Sequence, residues 1–177
     1  MAADPSRPDV VVATPRLVLR RLRGDDAPFI LGLLNDPSFL RFIGDRGVRT
    51  EDDARAYLVA GPLRSYEDRG FGLYLASLAS DGTPIGMCGL LKRETLDDVD
   101  LGFALLPAFC GAGYAREAGT AVVEHARADL KLCRLVAILQ PDNAASVRVL
   151  EALGFALEGT VRMTSESAAL LLYGRTL

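Results

Sequence analysis

The hydrophobic and polar positions of this 177-residue chain alternate with a period of two in some stretches and with a helical period in others. The first pattern predicts strands over residues 15–23, 72–79, 83–93, 97–106, 133–140, 156–163 and 168–174. The second predicts helices over residues 24–36, 51–61, 63–70, 116–130 and 143–155. A strand meander followed by a β-α-β arrangement indicates a single domain of the α+β, or mixed α/β, class.

Short-range signals mark where several of these elements begin and end. Thr50 followed by Asp53 resembles a capping box at the start of the helix at 51–61. Gly61-Pro62 is expected to end that helix, so that residues 63–70 form a second, short one. Ser80-Asp81-Gly82 predicts a hairpin between the strands at 72–79 and 83–93, and Gly154 is expected to close the last helix.

The amino-terminal residues, MAADPSRPD, are polar and interrupted by proline. This composition is typical of a loose tail and unlike a targeting segment, which carries a continuous apolar stretch. We therefore expect residues 1–12 to form a flexible tail and residues 13–177 to form the domain.

Composition and charge exclude several classes of protein. Hydrophobic residues make up 50% of the chain and charged residues 24%, and the net charge is −3. A nucleic-acid surface usually needs a basic stripe, and no apolar stretch approaches the roughly 20 residues of a membrane span. The mild acidity is compatible with a cationic substrate. The three cysteines, Cys88, Cys110 and Cys133, lack metal-ligand spacing and predict reduced thiols in a cytoplasmic protein without a metal.

The stretch with the clearest chemical meaning is FALLPAFCGAGYAREAG, where a strand meets a glycine-rich turn and then a helix. Residues with little side chain let a ligand approach the backbone, and a helix amino terminus presents unpaired N–H groups with a positive dipole end. The turn therefore suits a phosphate, although a tight connection without a ligand fits equally well. No Lys-Ser/Thr follows the glycines, as a P-loop requires, and Arg116 stands where a dinucleotide fingerprint needs a third glycine.

Three motifs, in order from Thr14 to Tyr173, resemble those of the GNAT N-acetyltransferases. CGAGYAREA resembles the pyrophosphate loop of that family, Gln/Arg-x-x-Gly-x-Gly/Ala, with Gly113 and Ala115 at the small positions. DNAASVRVLEALGF is similar to the family's Asn-x-x-Ser segment and the helix that follows it. TPRLVLRRLRGDDA resembles the opening of the RimJ/RimL-like branch, which acetylates ribosomal-protein amino termini and other amines.

The resemblance implies a largely antiparallel mixed sheet flanked by helices and splayed between the strands at 97–106 and 133–140. It implies acetyl-CoA as acyl donor and a peptide α-amine or small-molecule amine as acceptor, and it leaves a homodimer open. The expected acetyl-CoA contacts are Phe103, Ala104, Leu105, Cys110, Gly111, Ala112, Gly113, Tyr114, Ala115, Arg116, Asn143 and Ser146.

Two positions depart from the family pattern. Cys110 stands in the Gln/Arg place of the loop, and Leu150 replaces a tyrosine that protonates the leaving thiolate in many relatives. The resemblance then leaves Ser146, beside Asn143, to help the thiolate leave. Leu150 also keeps open the alternative of a non-catalytic acyl-CoA-binding or sensor module.

Asp100 is the carboxylate on the central strand that we expect to take a proton, through water, because it lies roughly 10 Å along the strand from Phe103. Each of these roles has a plainer alternative: Asn143 as a helix cap, and Asp100 as a solvated strand residue. Without an obvious strong base, an amine of low pKa is the easier acceptor.

The remaining candidates carry less of the prediction, and each has a structural alternative. His125 is expected to be structural, and Arg148 reaches a CoA phosphate or solvent. The weaker acids are Glu158 and Glu166. Three aromatic residues either wall the acceptor site or belong to the core: Tyr57, Tyr66 and Phe71.

Overall fold

The computed structural model describes residues 9–177, which form one eight-stranded sheet with helices on both faces. The strands are β1 (Val10–Ala13), β2 (Leu17–Arg21), β3 (Leu73–Leu78), β4 (Pro84–Leu91), β5 (Val99–Leu105), β6 (Arg134–Leu139), β7 (Ala156–Val161) and β8 (Leu170–Thr176). Their order in the sheet is β1-β2-β3-β4-β5-β6-β8-β7. All neighbours are antiparallel except β5 and β6, which run parallel. The expected mixed, largely antiparallel sheet is confirmed.

In the described part of the chain, six α-helices accompany the sheet: α1 (Ala27–Leu34), α2 (Pro37–Phe42), α3 (Glu51–Leu58), α4 (Arg64–Arg69), α5 (Tyr114–Ala128) and α6 (Ala144–Ala152). The capping box at the start of α3 is confirmed, with Thr50 and Asp53 each bonding the other's backbone. Helix α2 was not predicted. It is short and begins with a proline after the capping side chain of Asp36. Within residues 9–177, no helix is both long and apolar enough to cross a bilayer.

The break predicted at Gly61-Pro62 is absent. Residues Val59–Leu63 form a π-helical turn that joins α3 directly to α4. Inside an α-helix, proline cannot donate a backbone hydrogen bond, and its ring clashes with a carbonyl of the preceding turn. The wider π-helical turn accommodates the ring and the missing hydrogen bond, so the helix continues. The helix finally ends at Gly70, which adopts a left-handed conformation with φ +78°.

The hairpin predicted at residues 80–82 is confirmed, because β3 and β4 pair on either side of it and Gly82 has φ +76°. Of the predicted tail, residues 1–8 lie outside the described residues. Strand β1 (Val10–Ala13) begins inside the stretch assigned to that tail and pairs with β2. The structured part of the chain therefore starts before the predicted boundary at residue 13.

Two hydrophobic clusters hold helices against the two faces of the sheet. One contains the apolar stripe of α5, with Ala118, Val122 and Ala126 fully buried, and also buries Leu150 of α6. The other buries Ile30 of α1 and residues of α2 and α3. Strand β5 contributes alternate residues to the two clusters, as its period of two predicts.

The sheet opens between β5 and β6. These strands pair only at Val99 with Leu135 and at Asp100 with Val136. Beyond Asp100 they diverge, while β5 continues to pair with β4 as far as Leu105. The splay predicted from the family resemblance is confirmed. Beyond Asp100, the edge of β5 that faces β6 has no strand partner among residues 9–177.

Candidate active site

A cleft of about 980 Å³ follows the free edge of β5 from Asp100 to the glycine turn. Most of the residues predicted to bind acetyl-CoA or to act in catalysis line this one cleft: Asp100, Phe103, Ala104, Leu105, Cys110, Gly111, Gly113, Ala115, Arg116, Asn143 and Ser146. They come from β5, the glycine turn, α5 and α6, so the fold brings together two motifs that lie about 30 residues apart in the chain.

The glycine turn presents bare backbone to the cleft. Gly111 and Gly113 have φ of +80° and +84°, a region that side chains with a Cβ rarely adopt. A Cβ at Gly111 would meet nothing within 4 Å, and one at Gly113 would meet only Arg16 Nη2, at 3.4 Å. Helix α5 begins at the next residue, Tyr114, so its unpaired N–H groups face the open turn. The geometry fits a phosphate group of a bound ligand.

Two residues of the predicted contact set do not line the cleft. The carbonyl of Ala112 accepts a hydrogen bond from Arg16 Nη1 at 3.0 Å. The ring of Tyr114 lies under the Arg16 guanidinium, whose carbon is 4.5 Å from the ring centroid, and edge-on to Phe109. At these two positions only the backbone N–H groups remain for a ligand.

Arg16 belongs to a clasp that sequence reasoning missed. Glu117, in the first turn of α5, accepts hydrogen bonds from Arg16 Nε at 2.6 Å, from Arg16 N at 3.0 Å and from Thr14 Oγ1 at 2.6 Å. Partial burial raises the pKa of Glu117, but the hydrogen bonds from Thr14 and Arg16 together outweigh it and the pKa is lowered. The clasp ties the β1–β2 hairpin to the glycine turn. The sequence signal for it is Thr14-Pro15-Arg16, which belongs to the motif that resembles the RimJ/RimL-like branch.

Asn143 caps α6 and also lines the cleft. Its Oδ1 accepts a hydrogen bond from the backbone N–H of Ser146 at 3.1 Å. Capping and a place in the site are therefore compatible for Asn143. Ser146 also lines the cleft, and its hydroxyl makes no hydrogen bond within residues 9–177. Leu150, where many relatives have tyrosine, is 2% exposed and packs in the core.

Asp100 is not the solvated strand residue of the plainer alternative, because it is 1% exposed. Its Oδ2 accepts a hydrogen bond from Arg93 Nε at 2.6 Å, whereas its Oδ1 has no hydrogen-bond partner in the described part of the chain. Burial raises the pKa of this carboxyl to about 6, although the charge and hydrogen bond of Arg93 and the nearby backbone N–H of Ile138 act in the opposite direction. Burial wins because solvent stabilises a carboxylate more than one ion pair does here.

Of the other candidates, two line the cleft and two are buried in the core. Tyr57 and Arg148 line the cleft, while Tyr66 is buried, with its hydroxyl donating to the Leu73 carbonyl and accepting from the Leu22 N–H. Phe71 is buried in the core.

The remaining titratable candidates lie apart from the cleft. His125 Nδ1 lies 2.7 Å from Asp129 Oδ2 and its ring packs edge-on against Tyr74, which fits the expected structural role. Glu158 pairs with Arg134 on the outer strands. Glu166 lies in the exposed turn between β7 and β8. None of the three borders the cleft.

Comparison with known proteins shows which family this chain resembles. The model of the acetyltransferase (GNAT) domain family matches residues 16–156. The uncharacterized N-acetyltransferase YnaD of Bacillus subtilis (strain 168) is 27% identical over 148 residues, which cover 84% of each chain.

Solved structures show the same fold. An acetyltransferase from Agrobacterium tumefaciens str. C58 superposes with a TM-score of 0.78 over 94% of each chain, at 24% identity. RimL, a ribosomal L7/L12 alpha-N-protein acetyltransferase solved in complex with coenzyme A, superposes with a TM-score of 0.82 at 20% identity. That superposition covers 96% of this chain and 98% of RimL.

Proposed function

Because the family model covers most of its length, the chain belongs to the acetyltransferase (GNAT) family, and we propose that it transfers acetyl from acetyl-CoA directly to an amine. The proposed acceptor is a peptide amino terminus or a small-molecule amine, as in the RimJ/RimL-like branch. The observation that carries the proposal is the free edge of β5, which leads straight into a bare glycine turn at a helix amino terminus. With three free cysteines, the cytoplasm is the proposed compartment.

Acetyl-CoA supplies an acetyl thioester on a long chain that ends in phosphates. The backbone N–H groups of residues 111–116 would bind its pyrophosphate, with the dipole of α5 adding to the attraction. The unpaired edge of β5 would bind the amide groups of the pantetheine arm as a neighbouring strand would. Cys110 lines the same stretch, where burial raises the pKa of its thiol, so it serves as a neutral wall.

Transfer forms a C–N bond and breaks the C–S bond, while the amine loses a proton and the sulfur gains one. Backbone donors near Phe103–Leu105 would polarise the thioester carbonyl as negative charge develops on its oxygen. Ser146, held at the start of α6 by Asn143, would donate a hydrogen bond to the departing sulfur. Asp100 would accept the amine proton through water, since its Oδ1 has no hydrogen-bond partner among residues 9–177 and the thioester site lies roughly 10 Å along the strand.

A buried carboxyl with a free oxygen beside the cleft favours an enzyme over an acyl-CoA-binding module. A module that only binds acyl-CoA has no use for such a group, which burial makes costly to ionise. Release of CoA that depends on an added amine distinguishes the two functions directly.

Substitution of Gly113 tests the proposed binding turn. Gly113→Val places a branched side chain where phosphate must meet backbone and should weaken acetyl-CoA binding by about a hundredfold, the loss of two charge-assisted hydrogen bonds. Gly82→Val is the matched control, because Gly82 has a similar φ of +76°, nothing within 4 Å and no place in the cleft. Calorimetry would measure both affinities, and equal affinities would remove the turn from the binding site.

A further inference from the structure

The cleft carries a different charge from the chain that forms it. The protein has a net charge of −3, yet among residues 9–177 Asp100 is the only carboxylate that lines the cleft. Six cationic side chains line it: Arg46, Arg69, Lys92, Arg93, Arg116 and Arg148. An acidic protein has therefore collected positive charge at one concave surface, where low-dielectric walls strengthen the field.

The cations fall into two groups. Arg116 lies in the first turn of α5, beside the glycine turn, where the phosphates of acetyl-CoA would be, and Arg148 lies on α6. The other four, which we call the acceptor-side cations, are Arg46, Arg69, Lys92 and Arg93. Arg69 lies three residues before Gly72, whose carbonyl accepts a hydrogen bond from the N–H of Leu90 at 3.0 Å, and the charge of Arg46 acts on Tyr57 together with that of Arg93. Leu91 pairs with Asp100, so Lys92 and Arg93 follow a point about 17 Å along the strand from Leu105. That distance separates them from phosphates bound at the turn.

Two of the acceptor-side cations are already engaged within the protein. Arg93 pairs with Asp100, and Lys92 Nζ donates to the carbonyls of Asp97, at 2.7 Å, and Leu96. Arg46 and Arg69 differ, because neither forms a hydrogen bond or ion pair with any residue between 9 and 177. Both are exposed and both border the cleft.

Neighbouring arginines show that this lack of partners is not general. Every arginine in α2, α3 and α4 that does not line the cleft is paired with a carboxylate: Arg41 with Asp142, Arg55 with Glu51 and Asp52, and Arg64 with Asp68. Arg49, three residues after Arg46, pairs with Asp45. Between residues 37 and 69, Arg46 and Arg69 line the cleft and have no carboxylate partner among residues 9–177, whereas the other arginines are paired.

A hydrogen-bond acceptor for an amine lies among these cations. The free Oδ1 of Asp100 is buried at the cleft, and Arg93 already neutralises the other oxygen of that carboxyl. Burial raises the pKa of the Tyr57 hydroxyl, and the charges of Arg46 and Arg93 act in the opposite direction, so Tyr57 lies near both arginines. A ligand that complements the region needs one N–H donor and at least one negative charge beside it.

We propose that the acceptor-side cations select an amine that carries an anionic group, a carboxylate or a phosphate, close to the reacting nitrogen. Water connects the nitrogen to Asp100, as in the proposed transfer, and Arg46 and Arg69 bind the anion as charge-assisted hydrogen-bond donors. The anion belongs either to acidic residues that follow a peptide amino terminus or to a small amine. This inference rests on the proposed acetyl transfer and adds the class of acceptor.

Matched acceptors test the charge preference. The peptides Ala-Asp-Asp-Ala and Ala-Asn-Asn-Ala differ in charge with little change of shape. Glycine and glycinamide are the corresponding small pair, and their rates are compared per concentration of neutral amine, because a carboxylate raises the pKa of the amine beside it. We expect kcat/KM for the charged member of the preferred pair to be about tenfold higher at low salt and the ratio to shrink in 0.5 M salt. The pair that shows the larger ratio identifies the source of the anion.

Variants connect the preference to its residues. Arg46→Gln and Arg69→Gln should each bring the charged-to-neutral ratio close to one by lowering kcat/KM for the charged acceptor about tenfold. Arg64→Gln is the matched control on α4, because Arg64 is 72% exposed, pairs with Asp68 and does not line the cleft. That variant should keep the full ratio.

Calorimetric binding of the same acceptors to the CoA-saturated protein decides the matter without turnover. Tighter binding of the anionic acceptor that Arg46→Gln abolishes supports the inference. Equal binding of charged and neutral acceptors, or a ratio unchanged in Arg46→Gln and Arg69→Gln, overturns it. Failure of every amine to release CoA contradicts the proposed function instead, so the two failures are distinguishable.

Discussion

At the scale of single residues, Asp100 shows how burial converts an ordinary acid into a group that titrates near neutrality. On the solvated face of a strand it would be ionised down to about pH 4. Removed from water beside Arg93, with one oxygen unpartnered, it has a pKa of about 6. Such a group ionises close to the pH at which an enzyme must move protons.

Replacement of Asp100 should change the pH dependence of the reaction. With a peptide α-amine of pKa about 8 as acceptor, we expect kcat/KM to fall about tenfold per pH unit below 8. Below pH 6 the fall should steepen to about a hundredfold per unit, because Asp100 becomes protonated as the pH falls through its pKa. Asp100→Asn should lose the second step and run about 10²–10⁴-fold slower at pH 7.5.

A matched variant isolates this effect. The control is Asp98→Asn, because Asp98 lies two residues before Asp100 and pairs with Arg134 outside the cleft. It should keep both steps of the profile. If Asp100→Asn also keeps them, with full turnover, the proton leaves by another route.

At the scale of elements, the glycine turn depends on a hairpin from the other end of the chain. Arg16 holds the Ala112 carbonyl while it pairs with Glu117. That pairing neutralises a carboxylate which would otherwise repel an anion at the start of α5. The turn is thus positioned by residues that touch no part of the proposed ligand.

Substitutions in the clasp should act on cofactor affinity. Arg16→Gln frees the turn and leaves the charge of Glu117 uncompensated, so we expect acetyl-CoA to bind about tenfold more weakly, with a smaller effect on kcat. Adding Glu117→Gln to that variant should restore part of the affinity, because the repelling charge is then gone.

A control on the same helix is Arg127→Gln, which breaks the exposed pair with Glu124 and should leave the affinity unchanged. Calorimetry of the single and double variants measures the coupling. An unchanged affinity in Arg16→Gln would limit the clasp to a structural role.

At the scale of the whole molecule, the sheet consists of two parts joined by few backbone bonds. Strands β1 to β5 and strands β6 to β8 meet through two residue pairs, with α5 and α6 packed across one face. Acetyl-CoA bound along β5 would contact the turn and Ser146 of α6, and so would connect both parts.

Ligand binding should therefore raise the melting temperature. Acetyl-CoA at 100 times its dissociation constant adds about 2.7 kcal/mol to the free energy of unfolding. For a domain of this length that corresponds to a shift of roughly 5–10 °C. Scanning calorimetry of the parent protein and of Gly113→Val compares the two. The parent should shift and the variant should not, and a parent that shows no shift at millimolar acetyl-CoA would contradict the proposed donor.

The sequence by itself determined the elements whose causes are local. The strand patterns predicted β3, β4 and β5, and the capping box predicted the start of α3. Gly111 and Gly113 predicted the tight turn before α5. The same stretches carried the resemblance that led to the family. Each of these signals depends on neighbours within a few residues, where periodicity and backbone preferences are expressed directly.

Only the tertiary structure decided which side chains meet. It buried Asp100 beside Arg93, and it joined Arg16 to Glu117 across about 100 residues. It also brought the acceptor-side cations of an acidic chain together from α4 and two loops. In the tertiary structure Gly61 and Pro62 form part of a π-helical turn, and β8 lies between β6 and β7 in the sheet. Contacts of this kind follow from strand register and from packing across the sheet, and the burial they produce sets charge and pKa, which no local pattern contains.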